Sequence, residues 1–254
     1  LLRNYRHSGW FVVETTNFQV CSDESEVRVK SLAKHAESLR AELRTKWLRE
    51  NQIGTWNPKC QIVLHKTKNC YVAAVGKGSE QTVGSSLVKA QSGNTICRRI
   101  DLLGGETDFL RAALPHELTH VVLQERFTCQ SIPRWADEGV AVLADPPSKQ
   151  LRHDRDLRNA VANGDTFQTI ALLTLEEYPG TDRFGVFYGQ SKSLAEFLIA
   201  RKSTQDFADF LEKVDRIGYD AALRHSYQIA NVRELDRLWR DSLFVNPTLA
   251  ANSR

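Results

Sequence analysis

Residues 95–124 read TICRRIDLLGGETDFLRAALPHELTHVVLQ, and the periodicity of the chain changes inside them. Before Gly104-Gly105, the β-branched residues of TICRRIDLL (95–103) read as a strand. After it, Leu110, Ala113, Leu114, Val121 and Val122 recur at helical spacing, so 108–124 reads as an amphipathic helix with Thr107 as its N-cap. The two sides of this switch differ in kind. On the N-terminal side, WFVVETTNFQV (10–20), CQIVLHK (60–66) and SSLVKAQ (85–91) read as further strands, and Ser92-Gly93-Asn94 joins the last of them to 95–103 as a hairpin. Between them, Val27, Leu32, Ala36, Leu39, Leu43 and Trp47 make 23–50 one long helix, and Tyr71 to Val75 is too short to assign. On the C-terminal side the pattern predicts helices over 133–144, 148–162, 186–201, 204–215, 218–226 and 231–244, with Pro133 in the first turn of one and Gly218 separating two others. Strands first and helices after is an α+β arrangement: a small mixed sheet with a long N-terminal helix, followed by a mainly helical half. One domain over 1–254 is expected, with a sheet-containing half (10–105), a pair of helices (106–145) and a helical half (146–254).

Composition narrows the class. The chain has 254 residues, 41% hydrophobic and 26% charged, which excludes disorder and collagen-like repeats. No apolar run approaches the roughly 18 residues of a membrane span, so no transmembrane segment is expected. A chain this long buries roughly 70–75% of its unfolded surface and needs no metal or disulfide merely to fold. Lys+Arg 34 against Asp+Glu 31 gives a net charge of +3. Arg98-Arg99 and Arg201-Lys202 are the adjacent basic pairs, and no basic stripe with interleaved aromatics is present, so no nucleic-acid partner is expected. Arg152 to Arg158 alternates in sign and reads as a solvated helix face. Cys21, Cys60, Cys70, Cys97 and Cys129 form no C-x-x-C pair, which argues against zinc ribbons and thioredoxin-like redox sites. One or two bridges plus a free thiol would suit an exported protein, periplasmic or secreted, and five buried thiols would suit the cytoplasm; the exported reading is the one favoured here.

The chemistry lies at 116–120, His-Glu-Leu-Thr-His. Positions i and i+4 share a helix face, so two imidazoles can converge on one Zn²⁺. Glu117 lies one step round the helix, where a general base can flank the metal without binding it. With 7 His in 254 residues, chance yields roughly 0.01 such matches. A further histidine and a glycine just downstream would mark the metzincin pattern, but those positions hold Arg126 and Leu123, and the chain has no Met for a Met turn. The third ligand is sought in Trp135-Ala136-Asp137-Glu138-Gly139-Val140-Ala141. A short connection folds that helix back and presents Glu138, while Asp137, the runner-up, points roughly 100° away. His116, His120 and Glu138 leave the ion a formal net charge of about +1 and an open fourth position. His7, His35, His65, His153 and His225 read as surface or satisfied core histidines.

H-E-x-x-H followed by W-x-x-E-G-x-A resembles the gluzincin zinc metallopeptidases, in particular the peptidase-MA-like families. The resemblance is strong over about 110–145 and loose over 10–105 and 184–245. It implies a zinc-dependent hydrolase with a thermolysin-like active-site half, one zinc per chain, and a peptide or protein substrate. Catalysis then uses a zinc-activated water with Glu117 as general base. Related peptidases often stabilise the oxyanion with a Tyr or His from a later helix, and Tyr188 of Phe187-Tyr188-Gly189-Gln190-Ser191 is the residue expected in that role, the alternative being an ordinary half-buried core tyrosine. The edge of the 85–103 hairpin could receive the substrate backbone as an added strand. Pro115 departs from the pattern. Leu114 is a poor N-cap, so a kink in a longer helix is expected rather than a new start at Pro115. Two other readings use the same residues: a non-catalytic binding or scaffold domain retaining a structural metal site, and a zinc hydrolase of non-peptide amides. Oligomeric state and cleavage preference are not legible in the residues.

Overall fold

A computed structural model of the protein describes residues 2–23, 25–48, 54–104, 113–128 and 130–245. The fold is α+β, and the chain divides into two compact units, Leu1–Cys129 and Gln130–Arg254. The division falls inside the helix pair expected over 106–145.

The first unit contains β1 (Arg3–His7), β2 (Trp10–Glu14), β3 (Phe18–Ser22), α1 (Glu26–Trp47), β4 (Cys60–His65), α2 (Lys68–Val75), β5 (Gly84–Gln91), β6 (Asn94–Leu103) and α3 (Leu114–Leu123). Six strands form one sheet in the order β1-β2-β3-β4-β6-β5. The β3–β4 and β4–β6 pairs are parallel and the others antiparallel, so the sheet is mixed. The single strand expected over 10–20 is a hairpin instead. Thr15 breaks it: its backbone N–H donates to the Phe18 carbonyl (2.9 Å) and its hydroxyl accepts the Phe18 N–H (3.0 Å). β1 escaped the sequence reading because RNYRH shows no apolar alternation, and all five of its residues are exposed. The β5–β6 hairpin turns at Ser92 and Gly93, both at positive φ (50° and 76°), as such tight turns require.

In the core of this unit, Val13, Val20, Ile62 and Ile100 are register partners across β2, β3, β4 and β6, and all four are fully buried. Leu32, Ala33 and Ala36 of α1 are equally buried. Each large aliphatic side chain so placed contributes about 1.5–3 kcal/mol. Asn17 fastens the turn to the helix: its N–H and side-chain amide donate to the two oxygens of Glu37, at 2.8 and 2.7 Å.

Pro115 does not kink a longer helix. It sits in the first turn of α3, after Ala113 in the N-cap position. There its missing N–H costs nothing, because the first helical N–H groups have no partner within the helix. Thr107, its expected N-cap, lies outside the described residues, as do positions 108–112.

The second unit contains α4 (Arg134–Val142), α5 (Pro147–Asn163), α6 (Thr169–Leu173), α7 (Phe184–Ala200), α8 (Thr204–Tyr227) and α9 (Val232–Val245). The short α6 was not read from the sequence. The two helices expected on either side of Gly218 run on as α8, interrupted at Gly218 (φ 75°, ψ 165°). Gly139 on α4 faces the α7 backbone so closely that a Cβ there would lie 2.5 Å from the Ser191 carbonyl oxygen. Trp135 is fully buried, and its indole N–H donates to the Tyr219 hydroxyl (2.9 Å), which donates to the Leu173 carbonyl (2.8 Å). Phe207 of α8 meets Trp135 edge-on at 6.0 Å.

The solvated face expected over Arg152 to Arg158 is not uniform. His153 is 9% exposed, and among the described residues neither ring nitrogen has a hydrogen-bond partner. Its ring lies 5.4 Å from that of Tyr188. Burial, reinforced by Lys149 and Arg152 and opposed by Asp145 and Asp156, brings its pKa down to about 4.

Candidate metal centre

Helix α3 supplies the first part of the site. His116 and His120 lie one turn apart, with ring centroids 5.0 Å from each other and planes at 76°. Leu114, Leu118, Val121 and Val122 are fully buried, so the apolar residues that make the helix also fix which face the imidazoles occupy. Thr119, between them, donates its hydroxyl to the Pro115 carbonyl at 2.7 Å.

Beyond the C-terminal end of α3, Glu125 lies 3.5 Å from Arg44 and 3.9 Å from Arg40 of α1. Arg40 and Arg44 also donate to the Gly54 carbonyl, at 2.7 and 2.6 Å respectively. Burial pushes the Glu125 carboxyl up against the pull of those arginines, and it brings Arg40 down to about 10. This buried cluster holds the helix end in place. Removing a single partner from such a cluster is far more disruptive than the net worth of the pairs.

Glu117 is 9% exposed and packs against the first residue of β5. A Cβ on Gly84 would come within 2.8 Å of both Cγ and Oε1 of Glu117. The absent side chain at position 84 therefore makes the room in which this carboxylate sits. Tyr71 of α2 is buried nearby, hydrogen-bonded to Thr82 at 2.7 Å. Its hydroxyl is pushed up to about 12, mainly by burial and further by the charges of Glu117 and Asp101, against the Thr82 hydrogen bond. His65, read as a satisfied core histidine, is one: Nε2 meets Asp101 at 2.6 Å. Arg99 grips the same carboxylate with two hydrogen bonds of 2.7 Å.

Helix α4 of the second unit supplies Glu138, which is 4% exposed. The Tyr178 hydroxyl donates to Glu138 Oε1. Burial, the Glu138 charge and that hydrogen bond hold the Tyr178 pKa far above the usual tyrosine value, so the hydroxyl keeps its proton. Neither Tyr178 nor Gly84 was singled out in the sequence.

His116, His120 and Glu138 each offer one ligand atom, and these atoms lie within 4.8 Å of one another. The group includes Glu138 and not Asp137. No family model and no curated protein matches the chain. The donor set is two imidazole nitrogens and one carboxylate oxygen, the borderline-hard combination that suits zinc in hydrolytic sites. The residues present thus fit a single divalent ion.

Tyr188, expected to serve the oxyanion, lies on α7. Its ring contacts Phe184 (6.1 Å) and Phe187 (5.3 Å) as well as His153. Cys21, Cys60, Cys70 and Cys97 are free thiols, and Cys129 lies outside the described residues. Among the described residues, no helix is long and apolar enough to cross a membrane.

Proposed function

We propose that this chain is a zinc-dependent metallopeptidase of the gluzincin type. His116, His120 and Glu138 would hold one zinc ion per chain, and the substrate is a peptide or protein. The observation that carries the reading is the approach of three ligand atoms to within 4.8 Å, with Glu117 next to the first histidine on the same helix. A zinc ion bound there supplies a Lewis acid that polarises a carbonyl and acidifies water near neutral pH. Glu117 takes the proton of the attacking water and passes it to the leaving amine. Its burial against Gly84 limits the directions in which its carboxylate can turn. Tyr188 is the proposed donor to the oxyanion of the tetrahedral intermediate.

Metal analysis of purified protein, run beside a peptide-library cleavage assay, tests the reading. About one zinc per chain and measurable cleavage are expected. Glu117→Gln should retain the zinc and lose the cleavage, since it removes the base while leaving the proposed ligands intact. Cleavage that persists in Glu117→Gln would remove Glu117 from its role. A wild-type chain that binds no zinc would end the metallopeptidase reading altogether.

A further inference from the structure

The Glu138 carboxylate is not positioned by its own helix alone. A glutamate side chain has three rotatable bonds, and a ligand that must meet an ion at one point needs its last torsion fixed. The Tyr178 hydroxyl reaches it from the segment between α6 and α7, forty residues along the chain, and donates to Oε1. Tyr178 is itself held. The Arg134 guanidinium carbon lies 4.3 Å from its ring centroid, and Arg134 Nε donates to the Glu176 carbonyl at 2.8 Å. Phe184 and Phe187 meet the ring edge-on at 6.2 and 6.0 Å. Arg134 and Glu138 stand four residues apart on α4. One face of this helix thus carries both the carboxylate and the clamp on the residue that orients it.

We propose that Tyr178 is a positioning residue for Glu138, fixing one carboxylate oxygen by its hydroxyl so that the other is presented to the metal, with Arg134 holding the tyrosine in place. This rests on the zinc reading given above. Outer hydrogen bonds of this kind fix the orientation of a ligand, and their loss typically weakens metal affinity. A bare glutamate samples several rotamers, and each must be given up when the ion binds. Tyr178 settles that choice before the ion arrives. Tyr178 is 46% exposed as a residue although its hydroxyl donates to a buried carboxylate, an arrangement that apolar packing alone does not account for.

The test is zinc affinity, measured by competition with a chromophoric chelator on the full chain at fixed pH. Tyr178→Phe should raise the zinc dissociation constant about 10- to 100-fold. Arg134→Gln leaves the hydroxyl in place and loosens only its clamp, so a rise of about 2- to 5-fold is expected. Melting temperatures of the metal-free proteins separate this from a general loss of packing: Arg134→Gln should change affinity while melting like the wild type. The absorption spectrum of the cobalt-substituted protein should also change in Tyr178→Phe, as the ligand field around the ion is disturbed. If Tyr178→Phe does not fold, Arg134→Gln decides, and unchanged affinity in it overturns the proposal. A wild type that binds one zinc while Tyr178→Phe binds it equally well overturns the positioning role and leaves the zinc reading intact. A wild type without zinc overturns both.

Discussion

Gly84→Ala isolates the placement of Glu117 from its identity. The new Cβ would lie 2.8 Å from Cγ and Oε1 of Glu117 and 3.2 Å from the Ala113 Cβ. Carbon atoms pack at about 3.5–4.0 Å, so the glutamate must retreat by about 0.7–1.2 Å. Its side chain is flexible and can do so. The stability cost then falls at the low end of the about 1–3 kcal/mol typical of overpacking. It is partly offset by about 0.4–1 kcal/mol from the reduced freedom of the unfolded chain. The chemical cost is larger. A misplacement of about 1 Å in a reacting group can lower a rate about 10²-fold. Under the proposed function, kcat/KM for a cleaved peptide should fall about 10- to 100-fold, equivalent to about 1.4–2.7 kcal/mol of barrier. Zinc content should stay near one per chain. The decisive comparison is a double-mutant cycle with Glu117→Asp, whose shorter side chain relieves the clash. The two losses should then combine less than additively. A folded, metal-loaded Gly84→Ala protein with full activity would refute the claim that this gap sets the position of Glu117.

Two further outcomes follow from the second unit. Gly139→Ala would put a Cβ 2.5 Å from the Ser191 carbonyl oxygen, and backbone yields less readily than a side chain. A loss of about 3 kcal/mol or more is expected in denaturant titration, and wild-type stability would show that α4 and α7 can separate freely. His153 should make the protein acid-sensitive. Its native pKa of about 4 lies below the ordinary histidine value of 6.5. Above the unfolded value the ring is neutral in both states. As pH falls below it the unfolded chain takes up the proton first, so stability declines and levels off near the native value. The loss is on the order of 3 kcal/mol. His153→Leu should flatten the stability profile between about pH 6.5 and 4, and an unchanged slope would contradict this account.

The parts of the site legible in the sequence are those that helical geometry dictates. His116, Glu117 and His120 follow from a five-residue pattern, and Glu138 from a second motif eighteen residues on. Each lies on a helix whose periodicity is visible without coordinates. Tyr178 was not legible, because it sits in an irregular segment where no period predicts direction. The meeting of Gly84 with Glu117 joins a strand to a helix across thirty-three residues, and only the packed fold brings them together. The helices were read well where apolar periodicity ran long, while α6 was too short to register. Pro115 was misread because the apolar pattern continues on both sides of it, and periodicity alone does not say where a helix begins. The break at Thr15 was lost in a run of good strand formers.

The sheet ends at β1, whose backbone on one side meets no other described strand. Arg3, Arg6 and His7 stand along that border, all exposed, and the Arg6 guanidinium lies 4.0 Å from the Phe11 ring centroid. An uncapped sheet border is a template on which a foreign strand can grow, and cationic side chains are a common guard against it. Here the guard comes from residues that contribute nothing to the buried core. Exchanging Arg3 and Arg6 for valine would leave the interior untouched, yet it would hand the chain a sticky flank, turning a solubility feature into a nucleus for self-association.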